Sequence, residues 1–282
     1  NAQLSVPKEN YNKFKESLKS LTPLNEIRLN VAIEQYSKSF LKLTIKVREK
    51  IVADGLGLDD KSFDVTKIGD HLNAEQFNQM LNEDNTVCID MRNHYESEIG
   101  FFRRAIKPDV DTFRKSLEVI DDQLEKNGKD KNYLTYCTGG IRCEKASAYL
   151  KYKGIQNVFQ LEGGIIEYTR QVKQNKLENN FLGKNFVFDE RKSERISDEI
   201  VSSCHQCGAP ADTHVNCTNE ACHLLFIQCK NCQEKMNTCC SDDCNKTIQL
   251  SYQEQKELRK GKQNSNKIFK KGRAGHIKLN QY

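Results

Sequence analysis

One octapeptide, Tyr136-Cys137-Thr138-Gly139-Gly140-Ile141-Arg142-Cys143, commits the centre of this chain to a strand, a tight loop and a helix. The apolar-leaning run Tyr133-Leu134-Thr135-Tyr136 leads into it. Ala146, Ala148, Tyr149 and Leu150 follow, with no Pro or Gly before Gly154. Adjacent glycines let the backbone turn sharply and aim successive amides inward. The N-terminus of the next helix adds about half a positive charge. Cys137 is therefore expected at a strand end inside an anion-favouring cradle, which lowers a thiol pKa from ~8.5 into the ~3.5–7.5 range. A merely buried strand-end cysteine is the plainer reading. The two glycines and the arginine crowded beside it weigh against that. A phosphate-sized Cys-x5-Arg cradle needs arginine at position 143, but that position is Cys143 and the arginine comes one residue early, at Arg142. The shorter loop suits a terminal sulfur or a small oxyanion.

Strands and helices alternate around this loop. Phe77, Met80 and Leu81 mark a helix, and Val87-Cys88-Ile89 a short buried strand. Phe113, Leu117, Ile120 and Leu124 mark a longer helix. Val158 and Phe159 form a last strand, and Ile165, Ile166 and Tyr168 open a last helix. Such alternation predicts a parallel sheet with helices on both faces, with active loops at the carboxyl ends of strands. Upstream, Ala2, Leu4 and Val6 alternate as a strand, and Tyr11, Phe14, Leu18 and Leu21 share a helix face. Two more alternating runs follow, Ile27 to Ile33 and Leu41 to Val47, the second with Lys42, Lys46 and Arg48 on its opposite face. This β-α-β-β order resembles the back half of a ferredoxin-like α+β domain over residues 1–53, its front half expected to be missing or disordered. A Gly/Asp-rich linker spans 54–64.

At 282 residues the chain has room for two domains or more. Hydrophobic residues at 37% and charged residues at 29% predict a soluble globular protein, and no run approaches the ~20 apolar residues of a membrane helix. Because the chain starts at Asn1 rather than Met, its first residues say nothing about a signal peptide. Most of its twelve cysteines cluster after residue 200. Their close pairing predicts metal in a reducing cytoplasm rather than a secreted disulfide scaffold. Cys204 and Cys207, Cys217 and Cys222, Cys229 and Cys232, then Cys239 or Cys240 with Cys244, supply thiolates for two tetrahedral Zn2+ ions. Spacing leaves the connectivity open. Leu224, Leu225 and Phe226 offer so small a core that this module, residues 201–246, needs the metal to fold. His205, His214 and His223 could each replace a cysteine, but an exposed or packing role is the plainer reading for any one of them. A catalytic reading of His94-Tyr95-Glu96 as half of a nucleobase-deaminase signature fails. That signature also needs Pro-Cys-x-x-Cys, and Ser203 and Gln228 precede the cysteines here. From Lys256 onward the tail (247–282) is basic, with Lys260, Lys270 and Lys271 among nine cations facing Glu257 alone. Together with the Lys42, Lys46 and Arg48 face it is expected to meet RNA phosphates, although a solvated tail and a solvated sheet face are the plainer readings.

The loop and its flanks resemble a rhodanese domain, here over residues 65–180. Asp90-Met91-Arg92, Glu96, Gly100 and Ala105-Ile106 are similar to the signature before its catalytic strand. Gly154, Val158, Leu161 to Ile165 and Tyr168 resemble the closing signature. The stretches Asp90 to Glu96, Tyr136 to Lys151, Leu161 to Arg170 and Gly183 to Arg191, taken with the cysteine-rich segment, resemble the oxygen-dependent tRNA uridine-34 hydroxylase family. The likeness runs over nearly the whole chain. It implies a rhodanese-like parallel sheet, a charged connector (181–200) docked on it, a small zinc module, and tRNA as partner. It also implies hydroxylation at C5 of uridine 34 with molecular oxygen as co-substrate. Cys137 is then the catalytic thiolate, with Thr138, Gly139, Gly140, Ile141 and Arg142 as its cradle and Arg142 as charge support. Cys143 is a resolving or second catalytic thiol, or a residue packed beneath the loop. Asp90 and Arg92 brace the loop, and Tyr136, Tyr95 and Phe101 are the aromatics nearest in sequence to stack on a base, though each could as well be core. No flavin, nicotinamide or iron-triad pattern explains how oxygen is activated. A persulfide-carrying sulfurtransferase and a non-catalytic RNA scaffold are the rival readings. No membrane and no protein partner are expected.

Overall fold

The computed structural model describes residues 2–34, 39–40, 44–47 and 63–260. Chain order begins with α1 (Tyr11–Lys19), whose Tyr11, Phe14 and Leu18 form the expected half-buried face. Among the described residues the strands expected beside it do not form: residues 2–7, 25–34 and 44–47 hold neither helix nor strand, and Leu41 to Leu43 lie outside the described residues. The physical reason is visible in residues 28–34, whose backbone finds side-chain partners on the sheet domain instead of a ladder. Arg170 donates to the Val31 carbonyl at 3.2 Å, and Glu194 accepts from the Ile33 and Glu34 amides at 2.9 and 3.2 Å. A backbone satisfied this way has no need of a neighbouring strand. The basic sheet face is thereby corrected: Lys46 is exposed on an irregular segment, and Lys42 and Arg48 lie outside the described residues.

The centre follows the predicted alternation. β1 (Asp70–Leu72), α2 (Ala74–Leu81), β2 (Thr86–Asp90), the one-turn α3 (His94–Ser97), β3 (Gly100–Phe102), α4 (Phe113–Asn127), β4 (Asn132–Tyr136), α5 (Ile141–Tyr152), β5 (Val158–Leu161) and α6 (Gly164–Asn175) come in turn. Strands β1, β5, β4 and β2 lie side by side in that order, all parallel. Successive strand side chains point to opposite faces. Val87, Ile89 and Tyr133 thus join Phe113, Leu117, Ile120, Tyr149 and Leu150 in one core layer. Cys88, Leu134 and Tyr136 join Phe77, Leu81, Ile165 and Tyr168 in the other. In this second layer the Phe102 ring sits 4.7 Å from Tyr136 and from Tyr168, edge to face, each pair worth about 0.5–1.5 kcal/mol beyond burial. Helix α2 starts from an Asn73–Gln76 capping box, which contributes about 1 kcal/mol.

After α6 the charged connector becomes a sheet. β6 (Phe181–Phe186) pairs antiparallel with β3 and with β7 (Ser193–Arg195). Then come β8 (His214–Asn216), β9 (Leu225–Ile227), α7 (Lys230–Lys235), α8 (Asp242–Ile248) and α9 (Tyr252–Arg259). No helix among the described residues is long and apolar enough to cross a membrane.

The reactive loop after β4 is clasped by the turn before α6. The Ile165 amide donates to the Cys137 carbonyl at 3.0 Å and the Ile166 amide to the Thr138 carbonyl at 3.2 Å. Gly164 has φ +66, and a Cβ there would fall 2.5–2.7 Å from Cys137 O, Thr138 O and Gly139 N. Both the left-handed backbone and the contact forbid a side chain. Gly164→Ala is expected to cost about 3 kcal/mol or more, from strain and overpacking together, in urea unfolding of the purified protein. A loss below about 1 kcal/mol would show that the loop is not clasped as described.

Candidate functional site

Cys137 directly follows β4, and its loop runs into α5 through Gly140, whose φ of +93 lets the helix begin without a side-chain cap. The thiol is 2% exposed. The Gly140 amide donates to its sulfur at 3.2 Å. The pKa of Cys137 falls from 9.0 to about 6. The largest cause is a hydrogen bond from the Cys143 thiol, which outweighs burial; the Arg142 charge and the Cys143 and Arg142 amides add to it. Cys143 is fully buried beneath the loop, and burial, followed by the neighbouring Cys137, pushes its own pKa well up. The pair is thus asymmetric, with a neutral thiol donating to a thiolate.

Arg142 does more than support that charge. Its guanidinium grips Glu96 in a two-pronged pair, Nη1–Oε1 at 2.6 Å and Nη2–Oε2 at 2.8 Å, with Glu96 wholly buried. Burial opposes the Glu96 carboxylate, but Arg142 and then Arg92 outweigh it and lower its pKa. Thr138 joins through its hydroxyl, 3.4 Å from both Glu96 Oε2 and Arg142 Nη2. Gly139 and Ile141 supply the remaining backbone of the turn. Glu96 is the partner of Arg142 that the sequence marks only as a signature position and as part of the rejected deaminase pattern. Its position at the third residue of α3, in a capping box with Asn93, was the available signal.

Asp90 and Arg92 lie behind the loop, both fully buried. Arg92 Nη2 meets Asp90 Oδ2 at 2.6 Å and the Gly100 carbonyl at 2.7 Å, while the Tyr136 hydroxyl donates to Asp90 Oδ2 at 2.8 Å. Tyr136 is therefore core and unavailable to stack on a base. Tyr95 is also buried, against the Phe186 ring at 5.2 Å, and the half-buried Phe101 carries the Lys107 ammonium 4.0 Å over its ring. The open aromatic beside the loop is Phe188, 6.0 Å from the Arg142 guanidinium. Residues 28–34 pass over the mouth, where Arg28 pairs with Glu162 and Asn30 Nδ2 comes 3.6 Å from where a Gly139 Cβ would sit.

The eight expected cysteines assemble as two groups, Cys204, Cys207, Cys229 and Cys232, then Cys217, Cys222, Cys240 and Cys244. Within each group the sulfurs lie within 4.8 Å of one another. Separations of 3.6 Å (Cys207–Cys229), 3.6 Å (Cys222–Cys240) and 3.8 Å (Cys240–Cys244) approach the ~3.8 Å edge of a tetrahedron with metal–sulfur bonds of ~2.3 Å. Both groups are thus able to bind a metal ion. The first pair joins the third and the second joins the fourth, so the two groups interleave. Cys239 is buried outside both, and His205 pairs instead with Glu98 at 2.6 Å. Of the expected RNA contacts, Lys260 is exposed 3.5 Å from Glu257, and Lys270 and Lys271 lie outside the described residues.

The acidity of Cys137 has a direct readout. Alkylation of Cys137 by iodoacetamide, followed by mass spectrometry of its peptide, should show a rate that is half-maximal near pH 6 and falls below it as the thiolate is protonated. Cys143→Ala removes the largest stabilising hydrogen bond and should move that midpoint upward. A wild-type midpoint near 9.0 would mean that the loop does not activate the thiol.

Known proteins match nearly the whole chain. A Rhodanese-like domain model matches residues 73–171, and a Rhodanase C-terminal model matches residues 182–245. The chain is 52% identical to a tRNA uridine(34) hydroxylase of Leptospira interrogans, over 97% of this chain and 74% of that protein. It is 52% identical to the one of Photorhabdus laumondii, over 97% and 77%, and 53% identical to the one of Yersinia enterocolitica, over 97% and 78%. With a thiol loop, a docked connector and paired cysteine groups that span this match, the chain belongs to the tRNA uridine(34) hydroxylase family.

Proposed function

We propose that this protein hydroxylates C5 of uridine 34 in the tRNA anticodon, the first step toward 5-alkoxyuridine, with molecular oxygen as co-substrate. The observation that carries the reading is the Cys137 sulfur, its pKa lowered to about 6 in a loop that donates hydrogen bonds to it. A thiolate of this kind adds to the electron-poor C6 of a uracil ring. The new S–C6 bond sends an electron pair toward C5 and O4, so C5, the carbon to be hydroxylated, becomes electron-rich. Gly140 and Cys143 hold the sulfur anionic, and the Glu96–Arg142 pair keeps the loop at one width. A uridine in an anticodon loop can be splayed out to reach such a recessed sulfur, which a paired base cannot. Lys46, Lys260 and the basic tail supply non-specific phosphate contacts that position the RNA without reading it. The protein works in the cytoplasm, where tRNA resides and thiols stay reduced.

Mass spectrometry of tRNA nucleosides from cells carrying Cys137→Ser should find 5-hydroxyuridine derivatives lost, with the variant protein still folded, and oxygen limitation should deplete the same nucleosides in wild-type cells. Full modification by the serine variant would remove Cys137 from the mechanism. A Cys137-dependent sulfur-containing nucleoside in place of the hydroxylated one would make the enzyme a sulfurtransferase.

The two cysteine groups would hold structural Zn2+, since four thiolates saturate a tetrahedral ion and leave no position for water or substrate. Bound there, zinc supplies cross-links rather than chemistry. Elemental analysis of protein purified without chelator should return two zinc ions per chain, and chelation should unfold residues 201–246 while the parallel sheet stays folded. Metal-free protein with this segment intact would sink the assignment.

A further inference from the structure

Residues 28–34 cross the mouth of the reactive loop as a strap, tied down on both sides of Asn30. Before it, Arg28 pairs with Glu162, and Arg28 Nη1 comes 3.1 Å from where a Gly163 Cβ would sit. After it, Arg170 holds the Val31 carbonyl and Glu194 the Ile33 and Glu34 amides. Asn30 is thereby fixed over the turn. Its Nδ2 lies 3.6 Å from where a Gly139 Cβ would point, and among the described residues beyond the turn itself nothing else comes within 4 Å of that spot. Its Oδ1 is shut away from water and has no hydrogen-bond partner among the described residues. An unpaired buried oxygen weakens the folded state, so folding alone gives no reason to keep this amide. A ligand that completes it does.

The chemistry at Cys137 decides which edge of a base comes near the strap. C6 and N3 are opposite corners of the uracil ring, so a base with C6 on the recessed sulfur holds its N3–H and O4 edge farthest from it, at the rim. That edge offers one donor beside one acceptor. A carboxamide offers the complement, one acceptor beside one donor, and single-stranded bases are read by such pairs on their Watson–Crick edges. We propose that Asn30 reads uridine 34 in this way, Oδ1 accepting from N3–H and Nδ2 donating to O4. The torsion that turns an Asn amide is soft, so Oδ1 swings to the base while the strap stays in place. This inference rests on the reading that uridine 34 is the substrate. O4 is also the oxygen that gathers charge as sulfur adds at C6, so a donor there assists the addition as well as the binding.

The test uses the full chain, in air, and an anticodon stem-loop RNA with uridine or N3-methyluridine at position 34. The methyl group removes the N3–H donor and leaves the C5=C6 bond. Asn30→Leu is near-isosteric and removes both polar atoms. It should lose roughly 5- to 150-fold in kcat/KM on the uridine RNA, the discrimination of one two-bond contact to a base edge, with part of the fall in kcat. Its midpoint in urea should equal or exceed that of wild type, because it discards an unpaired buried oxygen. N3-methylation should slow wild type over the same range and Asn30→Leu by less than about threefold, since the two changes remove one contact. Asn30→Asp keeps the acceptor but sets a negative charge beside O4, and should fall at least as far as Asn30→Leu. An unchanged kcat/KM for Asn30→Leu, an equal methylation penalty in both proteins, or activity lost together with stability would overturn the inference. Wild type that forms no 5-hydroxyuridine on the uridine RNA would defeat the substrate reading and this inference with it, and that first measurement tells the two failures apart.

Discussion

Two buried ion pairs, Asp90–Arg92 and Glu96–Arg142, hold the active loop from behind. Taking a charge out of water costs several kcal/mol, and only close, multiply bonded pairing offsets it. Here the pairing is close and chained. Arg92 reaches Asp90, the Gly100 carbonyl and the Glu96 carbonyl, and Glu96 in turn receives both prongs of Arg142. The ends of β2 and β4, the start of β3 and the first turns of α3 and α5 therefore meet in one charged knot. Such a knot is intolerant of partial loss, because removing one member leaves its partner buried and unpaired. That intolerance makes it a good ruler for a loop whose width decides what it accepts.

The same arrangement explains how a thiol only 2% exposed stays anionic. Burial alone would raise its pKa, as it does for Cys143 and for Cys88. The loop overrides burial locally, with donors aimed at one sulfur and a cation partly neutralised by Glu96. Full neutralisation of Arg142 would leave the thiolate without a countercharge. A free Arg142 would bind any passing anion. The shared arrangement lies between these.

Much of the fold was legible because its signals were long or doubled. The runs Val87-Cys88-Ile89 and Phe113 to Leu124 carry their own period, and the double glycine after Tyr136 left one place for the reactive loop. The N-terminal alternation misled for a physical reason, since alternation describes a surface with two faces and says nothing of a partner for the ladder. In residues 28–34 that partner is a set of side chains, Arg170 and Glu194 among them. Glu96 was named only as a signature position, its partner Arg142 unforeseen, because a lone acid in a polar stretch has no periodicity to mark what it pairs with. Tyr136 was left open between stacking and core because nearness in sequence to Cys137 does not say on which face of the strand a ring lies, and it is core. Cysteine spacing fixed the pairs, but which pairs share a site depends on chain crossing that no spacing encodes.

That crossing has a consequence in time. The first sulfur set closes only with Cys232, after Cys217 and Cys222 of the second have already been made, and the second waits for Cys240 and Cys244. The first half of the segment, up to Cys222, can therefore finish neither site while the rest is still inside the ribosome. The module becomes a folded object late, its first site closing at Cys232 and its second at Cys244, so its assembly reports that everything ahead of it, including the sheet it docks against, has been synthesised.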